Sequence, residues 1–126
     1  MRRFTLPIVA LALASLALAA ALSPSAVLKD AEKLDGKEVT VRGKVADFKQ
    51  KTSRAGKPYF TFKLKEKDAE INVYGQGKLD PALKNDEQAE VAGIFRKLKE
   101  LQTFSVKNEV DVSAKPGKKY GAKKVS

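Results

Sequence analysis

The sequence predicts a mainly β fold: a small five-stranded Greek-key barrel, with a short N-terminal helix and a short helical turn between its third and fourth strands. Three observations carry this. Five segments alternate apolar and polar residues with the period of two that a half-buried strand requires. They fall in the order helix, three strands, helical connection, two strands. Gly43 and Gly93 sit inside strand segments, where a bulge or sharp bend lets a short sheet curl and close its edges.

The first segment stands apart. Arg2 and Arg3 precede an apolar run from Leu6 to about Leu18, and the small residues Ala19, Ala20 and Ala21 follow. That order is expected of a secretory signal peptide over residues 1–21, cleaved after Ala21. An uncleaved membrane anchor is the alternative, because the run almost reaches spanning length. After cleavage no transmembrane span remains, and the expected location is periplasmic or secreted.

Residues 22–112 form the expected domain. Ser25 is read as the N-cap of a helix in which Val27, Leu28, Ala31 and Leu34 recur at helical spacing, with Gly36 as the stop. Val39, Val41 and Val45 then alternate with Thr40, Arg42 and Lys44 in a first strand, Glu38 to Phe48. Lys49 to Pro58 reads as a polar loop. Tyr59 to Lys65 places Phe60, Phe62 and Leu64 on one face; Ala69 to Tyr74 places Ile71 and Val73 inward. Asp80 and Pro81 suit the start of one helical turn reaching Lys84. Gln88 to Arg96 is a fourth strand with Val91 and Ile94 inward, and Thr103 to Val112 a fifth with Phe104, Val106 and Val110 in the core. Ser113 to Ser126 carries Lys115, Lys118, Lys119, Lys123 and Lys124, no acid and no apolar period, and is expected to be a disordered tail.

This strand order is that of an OB-fold; an open β-sandwich or another small barrel would share the strand count. The runs LDGKEVTVRGKVADF, KPYFTFKLKEKDAEINVYGQG and QAEVAGIFRK add to it. They resemble OB-fold domains of the anticodon-binding type, with Gly43 as the strand-1 glycine and Tyr59, Phe60 and Phe62 as the aromatic second strand. The resemblance covers about residues 35–112 and implies a nucleic-acid-binding module. The leader and the Glu70-Ile71-Asn72-Val73 pattern also resemble exported bacterial OB-fold envelope proteins. That second resemblance implies a protein or small anionic ligand as partner.

The composition narrows the chemistry. The 126 residues include no Cys and no His, so disulfides, thiol nucleophiles, lipidated cysteine and histidine catalysis are excluded. The acids show no convergent spacing for hydrolysis or a metal, and Gly75-Gln76-Gly77 lacks the rest of a phosphate loop. No cofactor and no enzymatic activity are expected. The net charge of +10 favours an anionic partner, although Arg2, Arg3 and the tail lysines supply most of it.

The outward face of the first three strands should carry Arg42, Lys44, Tyr59, Thr61, Lys63, Asn72 and Tyr74. Lys51 and Arg54 in the first loop and Arg96 near the end of the fourth strand would flank it. Rings between cations suit single-stranded nucleic acid, whose bases stack while its phosphates meet the charges. The other reading is that the tyrosines cover the barrel flank and the cations solubilise it.

Overall fold

Ser23 opens the N-terminal helix in the computed structural model, which describes residues 21–79, 82–101, 103–113 and 121–125. The expected leader, residues 1–21, lies outside these except for Ala21. The Ser23 hydroxyl accepts from the Ala26 N–H at 3.2 Å, and Pro24 takes the first helical position, where its missing N–H costs nothing. The expected cap, Ser25, lies inside the helix and instead donates its hydroxyl to Glu66 Oε1 at 2.5 Å. The helix is split at Asp30 into α1, Pro24–Lys29, and α2, Ala31–Leu34.

Six strands follow: β1 Glu38–Thr52, β2 Pro58–Glu66, β3 Ala69–Gln76, β4 Gln88–Glu100, β5 Ser105–Asp111 and β6 Gly121–Lys124. β1 serves two partners. Its first half pairs with β4, from Glu38↔Ile94 to Lys44↔Gln88, and its second half with β2, from Lys44↔Lys65 to Thr52↔Pro58. β2 continues antiparallel to β3, β3 lies parallel to β5, and β5 is antiparallel to β4. The five strands thus close a ring in the order β1-β2-β3-β5-β4. Val41, Val45, Phe62, Leu64, Ile71, Val73, Val91, Phe95 and Val110 fill it, and Val27 of α1 is buried with them.

The bends are not where glycine suggested. The register skips between Ala46 and Lys49, where Asp47 takes a φ of 55°. Gly43 and Gly93 pair in regular register, and both are places of close approach. A Cβ on Gly43 would stand 3.1 Å from the Pro24 ring, and one on Gly93 only 2.1 Å from the Asp111 carbonyl. Because Gly93 adds no bulge, the alternation runs unbroken from Gln88 to Phe95. Phe95 is therefore buried and Ile94 turns outward, the reverse of the sequence expectation.

Three further expectations change. Lys49 to Thr52 is strand, and the loop shrinks to a tight turn over residues 53–57. Of the expected helical turn between β3 and β4, Asp80 and Pro81 lie outside the described residues, and residues 82–84 are not helical. In the tail, residues 114–120 lie outside the described residues, but β6 pairs antiparallel with β4 from Ala89↔Lys124 to Ala92↔Gly121. The expected disorder does not hold there. The edge of β4 offers backbone donors and acceptors along a stretch that β5 does not reach, and pairing with them needs no apolar pattern.

Candidate functional site

Two hairpins flank the outward face of β2 and β3. The β1–β2 hairpin rises on one side. On the other, β4 beyond Arg96 and β5 before Glu109 pair only with each other, so their hairpin extends past the ring. Between them lies a groove of about 480 Å³. Lys51, Ser53 and Arg54 form its β1–β2 wall; Leu101, Phe104 and Val106 form the opposite, apolar wall. Its floor is Tyr59, Thr61, Tyr74, Lys99 and Glu109. A smaller cavity of about 360 Å³ lies against the same two tyrosines and is bordered by Lys57, Gln76 and Gly77.

The floor is ordered by short contacts. The Tyr59 and Tyr74 ring centroids are 5.9 Å apart at an interplanar angle of 38°. Lys99 Nζ stands 4.3 Å over the Tyr74 ring and 2.8 Å from Glu109 Oε1. Lys51, Arg54 and Lys57 make no ion pair among the described residues, so the wall that they occupy is the positive one.

Five of the nine candidate residues, Lys51, Arg54, Tyr59, Thr61 and Tyr74, come together here. The other four do not line the groove. Arg42 and Lys44 lie on the first half of β1, which has bent away toward β4, and border a separate cavity of about 780 Å³ with Lys65, Glu66 and Lys67. Arg42 is paired with Glu90 at 2.8 Å, and Lys63 with Glu70 at 3.2 Å. Arg96 is exposed on β4, opposite Glu109 in register. In the separate cavity, hydrogen bonds from the Ser25 hydroxyl and then its backbone N–H hold the Glu66 carboxyl below its ordinary value of 4.5.

Phe104 and Glu109 escaped the sequence reading. The parity of Phe104 and Val106 matched buried Val110, which assigned both to the core, yet both line the groove and Phe104 is 60% exposed, because the hairpin has left the barrel by that point. Among the described residues no group of three or more acids is placed to hold a metal, and no helix is long and apolar enough to cross a membrane.

No family model and no curated protein matches the chain. Solved structures do. A crystal structure from Klebsiella pneumoniae subsp. pneumoniae, named as a nucleic acid-binding lipoprotein, is 19% identical over 90% of this chain and 97% of its own, with a TM-score of 0.56. The solution structure of the OB domain of a Thermoplasma acidophilum protein is 16% identical over 70% of this chain and 74% of its own, at a TM-score of 0.45. The ring order β1-β2-β3-β5-β4 read from the strand pairings is that of an OB-fold.

Proposed function

We propose that the chain is a non-enzymatic binding module for single-stranded nucleic acid, held in the groove across β2 and β3. One observation carries this: an aromatic floor lies between a cationic wall without ion pairs and an apolar wall. Bases stack on the exposed face of Tyr59 and against Phe104, while phosphates follow Lys51 and Arg54. Each stacked base is worth roughly 1–3 kcal/mol, and each neutralised phosphate adds a salt-dependent part. The name of the Klebsiella structure supports the same ligand class. Fluorescence anisotropy with single-stranded DNA, RNA and an acidic polysaccharide tests it. Saturable binding of the oligonucleotides at low salt is expected; no binding refutes the reading.

A second reading concerns place and partner. The order Arg2-Arg3, apolar run, Ala19–Ala21 supports export to the periplasm, and the Klebsiella protein is named as a lipoprotein. There the same groove would take an envelope protein or a small anionic ligand. N-terminal sequencing of the protein from its host should begin near Leu22; a cytoplasmic protein starting at Met1 refutes export.

A further inference from the structure

Among the described residues, Glu109 is the only acid lining the groove and the one charged side chain that is buried, at 4% exposure. A carboxylate in that position weakens phosphate binding and is costly to desolvate unless closely partnered. The Lys99 ammonium at 2.8 Å supplies a partner, and Lys99 is itself fixed over Tyr74. Their charges cancel, so the floor does not attract phosphate. The unpaired cations lie across the groove, on the β1–β2 wall. A single strand therefore lies with its phosphates along Lys51 and Arg54 and its bases turned toward the Glu109–Lys99 pair.

That pair reads hydrogen-bond pattern. A carboxylate only accepts, through two parallel oxygens, and an ammonium only donates. Single-stranded bases offer their Watson–Crick edges freely. Guanine alone has two adjacent donors there, N1–H and the N2 amino group, followed by the O6 acceptor. Cytosine and adenine set one amino group beside a ring-nitrogen acceptor. Thymine and uracil set N3–H between two carbonyls, both of which face a carboxylate unfavourably. We propose that Glu109 is the specificity residue of the groove and selects guanine, accepting from N1–H and N2–H while Lys99 donates to O6. This rests on the reading of the groove as a single-strand site.

The test titrates the full chain with oligonucleotides of equal length: all-dT, and dT carrying one central dG, dA or dC. One dG should tighten binding about tenfold over all-dT, within the range of a good bidentate contact. Glu109→Gln, which turns one acceptor into a donor and leaves Lys99 without its counter-charge, should tighten the binding of every oligonucleotide but bring the dG and all-dT affinities within about twofold of each other. Should that variant fail to fold, inosine in place of guanine removes the N2 amino group from the ligand instead, and should lose most of the preference. Replacement with 7-deazaguanine, which keeps the Watson–Crick edge, should retain it. Equal affinity for dG and dT oligonucleotides overturns the inference and leaves the groove reading standing. So does a dG preference that survives both Glu109→Gln and inosine. No binding of any oligonucleotide removes the groove reading itself.

Discussion

Tyr59 and Tyr74 are diagonal neighbours across the β2–β3 ladder: Tyr59 faces Gln76, Tyr74 faces Thr61, and the two rings meet at 5.9 Å. They are not equivalent. Lys99 covers one face of Tyr74 at 4.3 Å, whereas no cation is placed over Tyr59 among the described residues. A base stacking on the covered face must displace Lys99 from both the ring and Glu109. Tyr59→Ala should therefore cost roughly 1–3 kcal/mol of oligonucleotide binding and Tyr74→Ala less, as measured by anisotropy at fixed salt. Equal binding by wild type and Tyr59→Ala would leave only diffuse charge attraction.

The cations separate by place as well. Lys51→Ala and Arg54→Ala should each lower the slope of log affinity against log salt by about 0.7, the value for one phosphate contact on a single strand. Arg42 and Lys63 are engaged with Glu90 and Glu70 and lie outside the groove, so Arg42→Ala and Lys63→Ala should leave the slope nearly unchanged. The comparison is between slopes, because any lost cation weakens affinity a little at low salt.

Phe95 and Phe104 make opposite predictions. Phe95 is fully buried, and Phe95→Ala should destabilise the fold by roughly 3–5 kcal/mol in urea unfolding. Phe104 is 60% exposed on the groove wall, and Phe104→Ala should change stability by no more than about 0.5 kcal/mol while weakening oligonucleotide binding. A large stability loss in Phe104→Ala would put that ring in the core.

These two residues also mark how far the sequence could be read. Alternation located every strand of the ring and the inward faces of β2 and β3, because those strands are short and paired on both sides. It gave Tyr59, Thr61 and Tyr74 their outward direction for the same reason. It failed where a strand changes surroundings along its length. β4 and β5 carry one parity from the barrel into a free hairpin, so a pattern that means core at Val110 means groove wall at Phe104. Arg42 and Lys44 share a strand with Lys51, but a bend at mid-strand, which depends on long-range pairing, places them elsewhere. Glu109 is an acid in an alternating strand, and only the return of Lys99 across the hairpin gives it a role. β6 is held by backbone bonds, the Lys124–Glu87 contact and the single side chain of Ala122 against the core, none of which leaves a pattern in the sequence.

Truncation tests β6. Removing Gly121 to Ser126 takes away four register pairs, the Val125 N–H to Gln88 carbonyl bond at 2.9 Å and the Lys124–Glu87 pair at 3.2 Å. It also uncovers one edge of β4. The truncated protein should remain folded, since the five-strand ring does not include β6, but its Tm should fall, by about 4–8 °C for each kcal/mol lost. An unchanged Tm would mean that the strand adds nothing to the barrel.

The contact between Ser25 and Glu66 predicts an acid dependence. Glu66 accepts from the first turn of α1; it is held below 4.5 chiefly by the Ser25 hydroxyl, then by the Ser25 backbone N–H. A carboxyl with a lowered folded-state value binds fewer protons folded than unfolded, so stability rises with pH across that interval. The contribution is complete above the ordinary value and is lost as pH falls through the lowered one. Glu87, lowered by the Lys84 N–H and then by Lys124, adds a slope of the same sign, so wild type alone does not isolate Glu66. The difference between wild type and Ser25→Ala does. That variant keeps the Ser23 cap and Pro24, removes the main cause of the shift, and should unfold with a flatter pH dependence below about 4.5 while matching the wild-type slope near neutral pH. Parallel profiles across the acid range would show that the bond does not hold α1 to the end of β2 in solution.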